Sequence, residues 1–167
     1  RIVGETGGKD FCIAHESADI KVLVTAMIRG AFEYQGQKCS AMSRAYIPST
    51  IWPFVKDLLK KEVNKIKMGD PEDFSNFMNA VIDKPAFESI KKYIDYAISS
   101  PDAEIITGGK CDDSEGFFIE PTTIACSDPK FKTMCEEIFG PVLTVYIYDP
   151  LAWSKVLSIV DETSEYA

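Results

Sequence analysis

The run Val142-Leu-Thr-Val-Tyr-Ile-Tyr148 carries the strongest strand signal in the chain, and the segments around it repeat their apolar residues with the period of a helix. That alternation constrains the fold more than any other feature. From Ser17, read as an N-cap with Asp19 in the first turn, Ile20, Leu23, Val24, Met27, Ile28 and Ala31 recur at i, i+3 and i+4. This is the stripe of a helix packed on a core, ending near Gly36. A second stripe runs through Ile51, Phe54, Val55, Leu58, Leu59 and Ile66, a third through Phe87, Ile90, Ile94, Ala97 and Ile98, and a fourth through Trp153, Val156, Leu157 and Val160. Pro48-Ser49, Asp83 with Pro85, and Asp149-Pro150 open them, and Ser99-Ser100-Pro101 closes the third. Short runs at 11–14, 44–47 and 104–107 read as strands. The stretch 117–125 reads as an edge strand or two short strands, because Pro121 interrupts it. Strands alternating with helices predict an α/β fold, an open, mostly parallel sheet flanked by helices, with function on the loops at strand ends. Nothing inside 1–167 marks a domain boundary.

Charge and composition narrow the partners. A net charge of −8, with no basic cluster interleaved with aromatics, argues against nucleic acid. The longest apolar runs fall far short of the roughly 20 residues that span a bilayer, so no membrane partner is expected. A hydrophobic content of 46% with 26% charged residues belongs to a globular chain rather than a disordered one. Lys56, Lys60, Lys61, Lys65 and Lys67 share the outer face of the second helix with Asp57 and Glu62, which reads as a solvated face. The five cysteines are an odd number with no CxxC pair, and His15 is the single histidine. That pattern fits neither a zinc site nor a disulfide framework, so no metal is expected and a reducing compartment fits better.

Cys39 stands out by its place. It lies in Tyr34-Gln-Gly-Gln-Lys-Cys-Ser-Ala-Met-Ser43, a Gly-containing loop between the first helix and the strand at 44–47. Most free cysteines are inert core fillers. A thiolate is the nucleophilic form, however, and a neighbouring ammonium with free loop amides favours it, which makes Cys39 the candidate nucleophile. Cys12, Cys111, Cys126 and Cys135 read as structural, and His15 as a surface histidine. Gly7-Gly8 and Gly108-Gly109-Lys110 hint at phosphate loops, but neither has the spacing of a dinucleotide fingerprint or a Walker motif.

Three separated blocks point to a family: Gly4-Glu5-Thr6-Gly7-Gly8-Lys9, then Gly36-Gln37-Lys38-Cys39-Ser40, then Glu136-Glu137-Ile138-Phe139-Gly140-Pro141-Val142. In this order, with Glu5 and Cys39 34 positions apart, the chain resembles the aldehyde dehydrogenase family. Phe118-Ile119-Glu120-Pro121-Thr122 and Lys67-Met68-Gly69-Asp70-Pro71 extend the resemblance over essentially the whole chain. The phrases Phe32 to Ala41, Ser99-Ser100-Pro101 and Gly108 to Ser114 are similar to one mitochondrial branch of that family. That branch oxidises L-glutamate γ-semialdehyde to glutamate with NAD in proline catabolism. Thr6 and Asp10 depart from the residues common at their positions.

The resemblance implies a set of roles. Residues 1–167 would be a partial, thiol-bearing catalytic domain, with the family's nucleotide-binding domain and C-terminal end outside the chain. Cys39 would attack the aldehyde carbon, and Glu5 would activate water on the resulting thioester. Glu137 and Phe139 would contact the nicotinamide ribose and ring of NAD, and Lys38 and Ser40 the substrate carboxylate. The small-molecule aldehyde would be the partner, the full-length form a homo-oligomer, and the mitochondrial matrix the location. Taken alone, the residues permit plainer readings: Glu5 facing solvent, Glu136-Glu137 a charged turn, Phe139 core packing. An alternative function is a truncated non-catalytic fragment acting only by association with a full-length partner. A third is a cofactor-free thiol esterase built on Cys39 and Glu5.

Overall fold

The computed structural model describes residues 1–166; Ala167, the last residue of the expected domain, lies outside the described residues. In chain order the elements are β1 (Phe11–Ile13), α1 (Ile20–Phe32), β2 (Arg44–Pro48), α2 (Trp52–Val63), α3 (Lys84–Ser99), β3 (Ala103–Thr107), β4 (Cys111–Asp112), β5 (Phe118–Ile119), β6 (Thr122–Cys126), α4 (Lys132–Cys135), β7 (Val142–Tyr148) and α5 (Trp153–Glu162). One sheet has the order β1-β2-β7-β6-β3, and β4 pairs with β5 in a small separate ribbon. β1, β2, β7 and β6 run parallel, while β3 is antiparallel to β6. The mostly parallel sheet expected from the alternation is therefore present.

β7 lies in the middle of that sheet, which explains why its sequence runs apolar without alternating: both faces are covered. Leu143 and Val145 point to one cluster, with Ala45 and Ile47 of β2 and with Leu23, Val24, Met27, Val55 and Leu59 of α1 and α2. Val142 and Tyr148 point to the other, with Tyr46, Ile124, Ile90, Ile94 and Val156. Two-residue periodicity in the strands thus sorts the helices, α1 and α2 on one face, α3 and α5 on the other.

Several details differ from the sequence reading. Asp19, not Ser17, caps α1, its carboxylate accepting the N–H groups of Lys21 and Val22 at 2.9 and 3.0 Å. Phe54 and Ile98 are exposed and Leu157 half-exposed, because the buried stripes are Val55-Leu59-Val63, Phe87-Ile90-Ile94-Ala97 and Val156-Val160. Ile66 lies beyond the end of α2. The 117–125 stretch divides at Pro121 into β5 and the fully buried β6, which belong to different sheets.

Candidate active site

β1, β2 and β7 are neighbours and parallel, so the loops that enter them meet at one edge of the sheet. Those loops are Gly4 to Asp10, Gly36 to Ser43 and Glu136 to Pro141, the three blocks singled out in the sequence. They gather at the amino ends of the strands. Open α/β sheets more often place ligands at the carboxyl ends, so this edge is unusual for the architecture.

The Cys39 loop is held under backbone strain. After α1 ends at Phe32, Tyr34, Gln35 and Gly36 take successive left-handed conformations, with φ of 55°, 58° and 65°. Tyr34 and Gln35 carry side chains, so each costs roughly 1–2 kcal/mol there. Compensation comes from side chains that tie the loop to the segment before α3. The buried Gln35 donates from Nε2 to the Ala80 carbonyl at 3.3 Å, and its Oε1 accepts the Asn79 N–H at 3.1 Å. Gln37 Oε1 accepts the Ile82 N–H at 2.9 Å. Gly36 lies so close to the Gly140 carbonyl that a Cβ at this position would overlap it, which joins the Cys39 loop to the Glu137-Phe139 block.

Cys39 sits in a turn closed by the Ala41 N–H on the Lys38 carbonyl at 3.1 Å. Among the described residues the N–H groups of Lys38, Cys39 and Ser40 donate to no acceptor, whereas those of Gln37, Ala41, Met42 and Ser43 all do. Cys39 is also the one exposed cysteine of the five. Burial pushes the thiols of Cys12, Cys111 and Cys135 up, and that of Cys126 up to about 12, so those four are held as thiols.

The Gly-rich loop packs directly on this turn. Gly8 lies against the backbone of Cys39, where a Cβ at residue 8 would overlap the Cys39 carbonyl and stand 3.3 Å from its Cα. The Gly8 N–H donates to Oε1 of Glu137 at 2.8 Å, a charge-assisted bond of the kind worth about 1.5–3 kcal/mol. Glu5, exposed, precedes Gly8 by three residues, a span of at most about 11 Å of extended chain. Glu137 is half-buried, while its neighbour Glu136 turns outward and accepts the Tyr93 hydroxyl at 2.7 Å. Phe139 has φ of 57° and is 47% exposed, so its ring is held out of the core. Lys38 and Ser40 are exposed, and the Lys38 ammonium reaches Glu33 at 3.2 Å.

Two residues here escaped the sequence reading. Lys9, the lysine after Gly7-Gly8, is 1% exposed, and its Nζ has no hydrogen-bond partner. Desolvation, with the Arg44 guanidinium adding repulsion, lowers its pKa to about 7, against the pull of Cys135, Glu137 and Glu136. Arg44, also buried, donates from Nε to the Lys9 carbonyl at 2.7 Å and from Nη1 to the Tyr46 hydroxyl and the Val160 carbonyl, each at 3.1 Å. The only signal for it was a charged residue opening an apolar strand.

A folded edge that brings a loop thiol, a Gly-borne carboxylate loop and a Glu-x-Phe turn together has a clear family counterpart. Residues 1–164 match the model of the aldehyde dehydrogenase family, and the chain belongs to that family. It is 59% identical over 167 residues to the mitochondrial delta-1-pyrroline-5-carboxylate dehydrogenase of Dictyostelium discoideum, and 50% identical over 167 residues to that of Homo sapiens. These matches take in 100% and 99% of the chain, which spans 30% of the length of each of these curated relatives. Among solved structures, the delta-pyrroline-5-carboxylate dehydrogenase of Mycobacterium tuberculosis superposes with a TM-score of 0.93 at 44% identity, covering 99% of this chain and 30% of its own. The same enzyme with NAD bound superposes with a TM-score of 0.89.

Proposed function

We propose that this chain is the thiol-bearing part of an NAD-dependent dehydrogenase that oxidises L-glutamate γ-semialdehyde to glutamate. The observation that carries the proposal is the packing of Gly8, three residues after Glu5, against the backbone of Cys39, the one exposed cysteine. The substrate, and a mitochondrial location, rest on the names of relatives 59% and 50% identical to the chain.

Cys39 Sγ attacks the aldehyde carbon as a thiolate, giving a thiohemiacetal whose oxygen carries the negative charge. The Cys39 N–H, uncommitted among the described residues, is available to that oxyanion, and preorganised donors of this kind are among the largest contributors to acyl-transfer catalysis. Oxidation of the thiohemiacetal leaves a thioester on Cys39. Glu5 takes a proton from water, the hydroxide adds to the thioester carbon, and the C–S bond breaks to release the carboxylate and restore the thiol. General-base assistance of this sort is worth about 10²–10⁴ in rate. Exposure lets Glu5 return the proton to solvent. Lys38 and Ser40, on either side of the nucleophile, offer an ammonium and a hydroxyl to the substrate's own carboxylate.

The residues present fit NAD: Glu137 retains an oxygen for ribose hydroxyls, and the exposed ring of Phe139 offers a face or edge to the nicotinamide. When bound, NAD supplies the hydride acceptor for the oxidation. The rest of the nucleotide site belongs, in this proposal, to a segment outside the chain, as does the surface for homo-oligomer formation. NADH formation with glutamate γ-semialdehyde tests the proposal. Turnover is expected in the longer polypeptide and not in 1–167 alone, and turnover that survives Cys39→Ala contradicts it.

A second reading, a non-catalytic chain acting by association with a full-length partner, is favoured by the exposed apolar side chains Phe74, Ile82 and Leu151. The intact mass of the native polypeptide separates the two: about three times the 18.6 kDa of residues 1–167 supports the first reading, and 18.6 kDa supports the second.

A further inference from the structure

We infer that Glu137 is a positioning residue for the loop that carries Glu5, a second duty beside the cofactor contact; the inference rests on the roles proposed for Cys39 and Glu5. Residues 1–10 contain no helix or strand. Among the described residues, the bond from Gly8 N–H to Glu137 Oε1 at 2.8 Å is the one hydrogen bond made by residues 1–8. The loop is fixed at its far end, where the Lys9 side chain is buried and its carbonyl accepts Arg44 Nε, and the next attachment toward Glu5 is the Glu137 carboxylate.

The fit is close on both oxygens. Oε1 takes the Gly8 N–H, and Oε2 lies so near Gly7 that a Cβ there would stand 2.8 Å from it. Glycine at both positions lets the backbone come down onto the carboxylate on one side and onto Cys39 on the other. Glu136 is unavailable for this, since its carboxylate accepts the Tyr93 hydroxyl. Releasing Gly8 would leave Glu5 on a segment with packing but no hydrogen bond to define its distance from the thioester. A base displaced by about 1 Å loses on the order of 10²-fold in rate.

A contact made only with cofactor and a tether on the base loop separate in a reaction that uses no cofactor. Hydrolysis of a nitrophenyl ester acylates Cys39 in a burst and turns over by water attack under Glu5, with no NAD present. Glu137→Ala is expected to keep the burst and lower the steady-state rate by about 10- to 100-fold. Amide hydrogen exchange across residues 4–9 speeds up in the same variant. Glu137→Gln keeps an oxygen for the Gly8 N–H and is expected to stay within about threefold of wild type in both measurements. Should circular dichroism show Glu137→Ala unfolded, Glu137→Asp, which withdraws the acceptor by one methylene, takes its place. Steady-state hydrolysis within about twofold of wild type, with unchanged exchange, overturns the inference. A wild-type burst that persists in Cys39→Ala refutes the proposed function instead, and the exchange data still decide whether Glu137 holds the loop.

Discussion

The backbone of Gly8 rests against the backbone of Cys39, 31 positions away in sequence, with no room between them for a methyl group. Gly8→Ala must therefore move one of the two loops. Overpacking of this kind costs about 1–3 kcal/mol. The expected outcome is a lowered denaturation midpoint together with slower steady-state ester hydrolysis, since the displaced element carries either Glu5 or the thiol. An unchanged midpoint and rate would show that the contact is absent in solution.

Gln35 holds the Cys39 loop in its left-handed turn through two backbone partners, Asn79 N–H and Ala80 C=O. Gln35→Ala leaves both without a partner in a partly buried setting, at about 1–3 kcal/mol each. A total loss of roughly 2–6 kcal/mol is expected by urea unfolding. Gln35→Glu keeps one acceptor for Asn79 but offers no donor to Ala80, and an intermediate loss follows.

Lys9 gives the protein a pH dependence of stability. Its folded pKa is lowered to about 7 from the usual 10.5, so between those values the unfolded chain binds the extra proton. Stability therefore rises with pH through that window and is independent of this group below about 7, where Lys9 is charged in both states. The charges that act on it come from Arg44 of β2, Cys135 of α4, and Glu137 and Glu136 of the following loop. From pH 7 to pH 9 the contribution amounts to about 2 kcal/mol. Urea unfolding of wild type and Lys9→Met across this range is expected to show that difference in slope, with the Met variant the more stable at pH 7. Parallel curves would mean that Lys9 stays charged in the fold.

Much of this was legible in the sequence, and what was not has identifiable causes. The stripes in α1 and α3 were readable because burial follows the helical period, and β7 because a doubly covered strand has no polar alternation. Phe54 and Ile98 were misassigned inward: each lies one residue from a buried position, Val55 and Ala97, and a 100° step is enough to turn a side chain to solvent. Ser17 and Asp19 are both good capping residues, and spacing alone did not choose between them. That Glu5, Cys39 and Glu137 belong together was suggested by family spacing; that the loops carrying them lie side by side depends on the parallel order β1-β2-β7, which residue patterns do not specify. The buried Lys9 was hidden because nothing local marks a lysine as enclosed when the enclosing residues, Arg44 and the α5 end, are distant in sequence.

Intact mass of Glu5→Gln during reaction with a nitrophenyl ester tests the pairing of thiol and carboxylate most directly. The account predicts an acyl adduct on Cys39 that forms as fast as in wild type and persists, because water attack is slowed by about 10²–10⁴. An adduct that Glu5→Gln clears at the wild-type rate, or one located on another cysteine, would contradict it.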